Sequence, residues 1–367
     1  MRTSLSRRFD WPLLMLVLVL GIFGIVMVGS ALSGNEIYRD WPWRQALFLG
    51  VGLILMFAVT ALDYRLLTTL AYPIYLFFLA ALVVIKIIGT VAGGAQRWLT
   101  IGEYFLQPSE LTKIALILAL AHFLSSREDK MESILTPIMA IGLLLPAVGL
   151  IFWQPNLGTA LSIVVIGAIM IVVAGLRVRH GIFFGLLAGA AAAPIWKYAL
   201  ADYMKERITM FVNPAAADPD SLYNVQQAMI GIGSGGWLGR GLFRGSQSQL
   251  HFLRVRHTDF IFSVTAEELG FIGGAVLIIL FAALMLRLVQ IASRARDTFG
   301  MLIVTGVVAM TLFQVLINIG MNLSIMPVTG IPLPFISYGG SSLWTMLVAI
   351  GLVQSVALRH KKIGFDT

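Results

Sequence analysis

The chain of 367 residues has no cysteine, which excludes disulfides, thiolate nucleophiles and thiolate-bound metal. Histidine is scarce too. Five are scattered along the chain with no HExxH or similar pair, so a dedicated zinc site lacks ligands in register. No GxxxxGK[ST] stretch is present, which removes the ATP-binding P-loop, and neither a fixed-period repeat nor a soluble domain can be read. Charge is thin: 12% of residues are charged against 58% hydrophobic. That balance lies outside soluble domains and marks a polytopic membrane protein.

The net charge of +8 raises nucleic acid as a partner, but the basic residues cluster at the ends of apolar runs. There they orient helices and meet anionic lipid headgroups, so membrane lipids are expected and nucleic acid is not. The first apolar run, Trp11 to Leu32, is too long for a signal-peptide core and lacks a convincing cleavage site. It reads as the first span.

A helix needs about 20 apolar residues to cross the hydrocarbon core. On that rule the fold class is all-α polytopic, with ten spans near 11–32, 43–62, 66–89, 108–124, 134–153, 158–176, 180–200, 260–289, 300–326 and 341–358. The fourth is short, and a tilt or a broken first turn is expected there. An even number puts both termini on one side. Fourteen Lys and Arg lie on that side, from Arg2, Arg7 and Arg8 to Arg359, Lys361 and Lys362, against Arg39, Arg44 and Arg97 in the short loops opposite. Both termini are therefore expected in the cytoplasm, with one long extracytoplasmic loop at about 201–259 between spans 7 and 8.

The chemistry-bearing stretches all fall on the expected outer face. Between Gly93 and Lys113, Arg97, Glu103, Glu110 and Lys113 are mixed with aromatic residues. Glu110 and Lys113 share a helix face, so an intramembrane ion pair is expected, either fixing helices or serving catalysis. The tight connection QPNLGT holds Gln154 and Asn156; it is a turn between spans 5 and 6, or a polar contact for a ligand. In the long loop, residues 205–207 suggest a surface helix, 213–220 an irregular turn and 223–230 a short amphipathic helix. There follows GIGSGGWLGRGLFRGSQSQ with Arg240 and Arg244. Its glycines fit either a flexible loop or a cradle for an anion such as pyrophosphate. The segment Met326 to Ser342, with Pro327, Pro332 and Pro334, cannot be continuous helix, and a re-entrant loop lining a cavity is expected.

From Gly245 to Gly270 a basic segment with Arg254, Arg256 and His257 turns at Asp259 into the apolar run Phe260, Ile261, Phe262 and Val264. A carboxylate at this boundary can cap the following helix or move a proton, and the two roles can coexist.

Four segments, GGAQRWL with QPSELTK, QPNLGTA, the run from Gly231 to Gly270, and GIPLPFISYGGSS, resemble in their order the SEDS family (shape, elongation, division and sporulation). The likeness spans essentially the whole chain. It implies a ten-span bundle with both termini cytoplasmic, and a peptidoglycan glycosyltransferase that polymerises lipid II at the outer face of the cytoplasmic membrane in cell elongation. It also implies a class B penicillin-binding protein as partner. The family's essential carboxylate is the Asp of the HTDFIF motif, here Asp259. Two departures stand out: Asn156 replaces the Asp usual in QPDLGT, and Arg254 to Arg256 replace an often acidic triplet.

On that reading a β-1,4 link forms from an α-linked lipid pyrophosphate by one inverting displacement. Asp259 is the expected general base. The pyrophosphate falls to some of Arg97, Lys113, Arg207, Arg240, Arg244, Arg254 and Arg256, with a divalent cation, magnesium or manganese, as a possible aid. Glu110, Gln154, Asn156 and His257 complete the substrate-binding candidates, and a lipid-facing groove is expected for the polyprenyl tail. The alternative is a lipid II flippase, which would need gating chemistry on both faces. A third reading, a noncatalytic scaffold, would need no buried carboxylate.

Overall fold

A computed structural model describes residues 9–34, 38–92, 95–101, 104–214, 219–250 and 252–359. Arg2, Arg7, Arg8, Lys361 and Lys362 of the charge count, Glu103, and 215–218 of the expected turn lie outside the described residues.

The apolar runs fold as helices α1 (Trp11–Ala31), α2 (Trp41–Ala61), α3 (Leu67–Ile88), α4 (Pro108–Ser125), α5 (Leu135–Trp153), α6 (Leu157–Val173) and α7 (Val178–Pro194). After the long loop come α11 (Ile261–Ser293), α12 (Thr298–Asn322) and α13 (Gly340–Leu358). Among the described residues nine helices are long and apolar enough to cross a membrane, α7 reaching that length through a π-helical turn, Ile195–Ala199, that continues it; the sixth expected span, α6, is shorter at 17 residues. Starts are set by local chemistry. Asp10 accepts the Leu13 amide at 3.0 Å and Asp297 that of Gly300 at 2.7 Å, while Pro12, Pro42 and Pro108 occupy first turns whose amides need no partner. The fourth span thus begins cleanly, without the broken turn its short apolar run suggested.

Burial ranks the helices. In α4 and α13 83% of the apolar window is buried and in α12 72%, against 6% in α7, so α4, α12 and α13 form the centre and α7 the margin. Close approach uses small residues: Gly52 of α2 faces Leu347 of α13, and Gly306 of α12 faces Ile117 of α4.

Two features depart from a plain bundle. Three short strands, β1 (Thr90–Ala92), β2 (Ala95–Ile101) and β3 (Tyr104–Leu106), form a small antiparallel sheet in the order β1-β2-β3, with Thr90 opposite Trp98 and Leu99 opposite Leu106. It is tied to α13 through Ser341, whose hydroxyl donates to the Phe105 carbonyl and accepts the Gln107 amide, each at 3.0 Å. The long loop is largely helical: α8 (Asp202–Val212), α9 (Pro219–Gly235) and the single turn α10 (Ser246–Gln249). The short amphipathic helix expected at 223–230 extends at both ends and takes in the start of the glycine-rich run, as far as Gly235.

The next part of that run is a docking device. Gly239 (φ 81°) and Gly270 (φ 67°) adopt backbone open mainly to glycine and meet directly, since a Cβ on Gly270 would lie 2.3 Å from the Gly239 nitrogen. Arg240 and Gly241 amides donate to the carbonyls of Glu267 and Glu268, and Phe271 and Ile272 amides to those of Gly236 and Trp237. These amides are spent on α11, so they do not form the anion cradle that the glycines suggested; Gly270 breaks α11 to make the exchange.

Candidate functional site

Asp259 closes the turns that precede α11. It does not cap that helix: Phe260 holds the cap position with no side-chain bond, and the acceptor comes from elsewhere. Asn322, at the end of α12, receives the Ser263 amide on Oδ1 at 3.1 Å. Its Nδ2 donates to the Asp259 carbonyl at 2.9 Å, and Asn318 Nδ2 donates to the same carbonyl at 3.0 Å. The proline-glycine loop holds the preceding residues. Ser337 Oγ donates to the Thr258 carbonyl at 2.6 Å and the Tyr338 amide to that of His257 at 2.9 Å. The backbone of 257–259 is thereby fixed on two sides, and the capping role expected of Asp259 passes to an asparagine.

Protein surrounds the Asp259 carboxylate densely, while the residue as a whole keeps part of its surface accessible. Burial raises its pKa above the ordinary carboxylate value; Arg207, a bond from Thr258, and Arg97 act in the opposite sense without cancelling it. Arg97 comes from β2, Arg207 and Tyr203 from α8. Burial lowers the Arg97 pKa, with Arg207 adding repulsion and Asp259 attraction; a guanidinium remains charged all the same. Arg97 Nε and the Tyr203 hydroxyl are buried without a hydrogen-bond partner, although buried donors are almost always paired. Burial also raises the Tyr203 pKa, so its hydroxyl keeps its proton. Gly330 completes the enclosure: a Cβ there would lie 3.5 Å from Asp259 Oδ2 and 3.9 Å from Arg207 Nη1.

Arg207 also borders an apolar cavity of about 450 Å³ lined by Met210, Met229, Met321 and Met326 among others, between α8, α9 and the end of α12. A second cavity, of about 390 Å³, lies among Arg65, Glu128 and Asp297. Asp297 caps the opposite end of α12 from Asn322, so this cavity is at the other end of the bundle.

The remaining candidates are held elsewhere. Glu110 and Lys113 form the expected ion pair, both buried, at 2.9 and 3.0 Å. Gln154 donates to the Leu82 carbonyl at 2.8 Å, tying α5 to α3, and Asn156 caps α6 by accepting the Thr159 amide at 3.3 Å. Arg240 donates to the Ser234 carbonyl and to Ser246 Oγ. Arg244 is exposed. Arg254 lies over the Tyr223 ring at 5.6 Å, and Arg256 is buried and donates to the carbonyls of Ala31 and Leu253. The His257 ring packs edge-on against Trp41 at 5.1 Å; burial, with Arg256 adding repulsion, pushes its pKa down to about 4, so it is neutral.

Sequence reasoning missed Tyr203, Asn318, Asn322 and Gly330. Two asparagines four apart in the apolar helix INIGMN are a usable signal, since amides in a span demand partners. It also missed Glu267 and Glu268, both buried. Glu268 Oε2 accepts Ser30 Oγ at 2.5 Å and the Phe243 amide at 3.1 Å, and Glu267 Oε1 the Gln247 amide at 2.9 Å; together they anchor the docked loop.

The family model FtsW/RodA/SpoVE, described as a cell cycle protein, matches residues 10–362. The chain is 37% identical to stage V sporulation protein E of Bacillus subtilis over 359 residues, covering 95% of this chain and 96% of that protein. It is 36% identical to the peptidoglycan glycosyltransferase MrdB of Escherichia coli K12 over 357 residues, covering 97% and 95%. A solved structure reported as showing structural coordination of polymerization and crosslinking by a peptidoglycan synthase complex superposes with a TM-score of 0.82 at 36% identity, over 95% of this chain and 97% of that one.

Proposed function

Because this chain belongs to the FtsW/RodA/SpoVE family, and so is a peptidoglycan glycosyltransferase, we propose that it polymerises lipid II at the outer face of the cytoplasmic membrane with Asp259 as general base. The observation that carries this reading is the Asp259 carboxylate, relieved of capping and deeply set, beside Arg97 and Arg207.

In the step so assigned, the acceptor sugar hydroxyl gives its proton to Asp259 as its oxygen bonds the anomeric carbon of the donor. The bond from that carbon to the phosphate oxygen breaks, and its electron pair leaves with the lipid pyrophosphate. Arg97 and Arg207 face the charge that develops there, and the unpartnered Arg97 Nε and Tyr203 hydroxyl are donors free to meet it. The apolar cavity beside Arg207 suits the polyprenyl end of such a substrate. A bound divalent cation would neutralise the pyrophosphate. The chain offers one carboxylate at this point, and among the described residues there is no cluster of three His, Asp or Glu able to hold a metal.

A role in cell elongation and rod shape, a class B penicillin-binding protein as partner, and both termini in the cytoplasm complete the proposal. Similar identity to a sporulation protein and to MrdB supports the chemistry rather than the choice between those roles. All the matched motifs converge at one end of the bundle, which favours an enzyme working on one face over a flippase. The test is purified protein with lipid II, alone and with a class B penicillin-binding protein. Glycan strands that depend on the chain are expected, and no strands in either arm would overturn the reading.

A further inference from the structure

The first turn of α11 has unpaired amides, as every helix start does, and the cap position is held by Phe260, which has no acceptor. The nearest acidic side chain is Asp259, one residue earlier, and Asp is among the best residues for accepting such amides. Left to itself, this sequence would draw the carboxylate onto the helix start, towards the amides of Ile261 or Phe262 and away from Arg97 and Arg207. Asn322 opposes that turn by holding the backbone from which the carboxylate projects. It reaches across from α12 to accept the Ser263 amide with one end of its amide group and to hold the Asp259 carbonyl with the other. Asn318, one turn earlier, donates to the same carbonyl and to that of Ile331 at 2.8 Å. Both asparagines are fully buried; both ends of the Asn322 amide are bonded, whereas Asn318 Oδ1 has no partner. The task needs a neutral side chain that donates and accepts at once. Leucine does neither, and aspartate would only accept while setting a second negative charge near the first.

We propose that Asn322, supported by Asn318, is a positioning residue that ties the Asp259 carbonyl and the first turn of α11 to a neighbouring helix and so keeps the Asp259 carboxylate beside Arg97 and Arg207 for proton transfer. This rests on the reading of Asp259 as base. The charged groups that face Asp259 are Arg97 from β2 and Arg207 from α8, with Tyr203 of α8 coupled to those two arginines and His257, on its own segment, turned to Trp41; α12 and the proline-glycine loop present Asn318, Asn322 and Gly330.

The experiment measures strand formation by the full-length chain with its partner, as a function of pH and lipid II concentration, for Asn322→Ala and Asn322→Asp. Asn322→Ala removes one of the two ties on the Asp259 carbonyl, so the carboxylate is expected to turn towards the amides of the helix start. The maximal rate should drop by about 10²-fold, the size of effect that small misplacements produce, with little change in KM. The acid limb of the pH profile should move to lower pH, because amide bonds favour the charged form. Asn322→Asp keeps the helix acceptor, and hence folding, but adds a like charge, so its rate should fall while the acid limb moves to higher pH. A purely structural role would lower rates without moving either limb. Wild-type rates in both variants, or lost rate with unmoved limbs, would overturn the proposal. Asp259→Asn in the same assay separates the two readings: if it is inactive while Asn322→Ala is fully active, only the positioning role fails, and if it is active the base fails.

Discussion

Asp259 sits where its own charge is disfavoured, and this has two measurable consequences. Its pKa is raised by burial, so a base at this position loses activity at a pH above the ordinary carboxylate value as the medium is acidified. The acid limb of kcat/KM for polymerisation should lie there. For stability the sign is opposite to that of a salt-bridged Asp. A carboxyl that binds its proton more tightly folded than unfolded stabilises the fold only below the ordinary carboxylate pKa, and that stability is lost as pH rises to the raised value. Asp259→Asn should therefore unfold at an equal or higher temperature than wild type at neutral pH. Around it, Arg97→Gln and Arg207→Gln should each lower the rate by about 10² to 10³, the usual loss for one donor facing developing charge. Arg254→Gln, whose side chain lies over Tyr223, should change it little, and initial rates on lipid II decide both.

Among the elements, α4 carries the buried pair Glu110 and Lys113 at 2.9 Å. Breaking such a pair leaves a lone buried charge and typically costs about 3–5 kcal/mol, whereas replacing both members with apolar residues is often neutral. Lys113→Met should therefore lower thermal stability and activity together, while Glu110→Leu with Lys113→Met should recover the stability. An inactive but stable double variant would assign the pair to chemistry. The pair was legible in the sequence because three-residue spacing puts both groups on one helix face. The docked glycine loop was not. Gly231, Gly233 and Gly235 are helical while Gly239 and Gly270 are in contact, a distinction set by tertiary packing between stretches some thirty residues apart. The small sheet of β1, β2 and β3 was equally hidden, since its polar and aromatic residues show no clean alternation.

At the scale of the molecule, hydropathy located nine of the ten spans by length, and α6 qualifies by composition while falling short by length. The long loop's internal helices and the meeting of β2, α8, α12 and the proline-glycine loop around Asp259 depend on chain crossings that no local pattern encodes. So does the passage of the capping task from Asp259 to Asn322. Orientation can be probed with single cysteines, because the chain has none of its own. Gln249→Cys should react with an impermeant thiol reagent on intact cells, and Arg294→Cys only after the cells are opened. The most direct test of the mechanism is strand formation from lipid II by the purified complex carrying Asp259→Asn, with its unfolding temperature measured alongside. Loss of polymerisation in a variant as stable as wild type is the expected result, since asparagine keeps the shape and hydrogen bonding of the side chain but cannot take the proton. Polymerisation at near wild-type rate would contradict a catalytic base at this position.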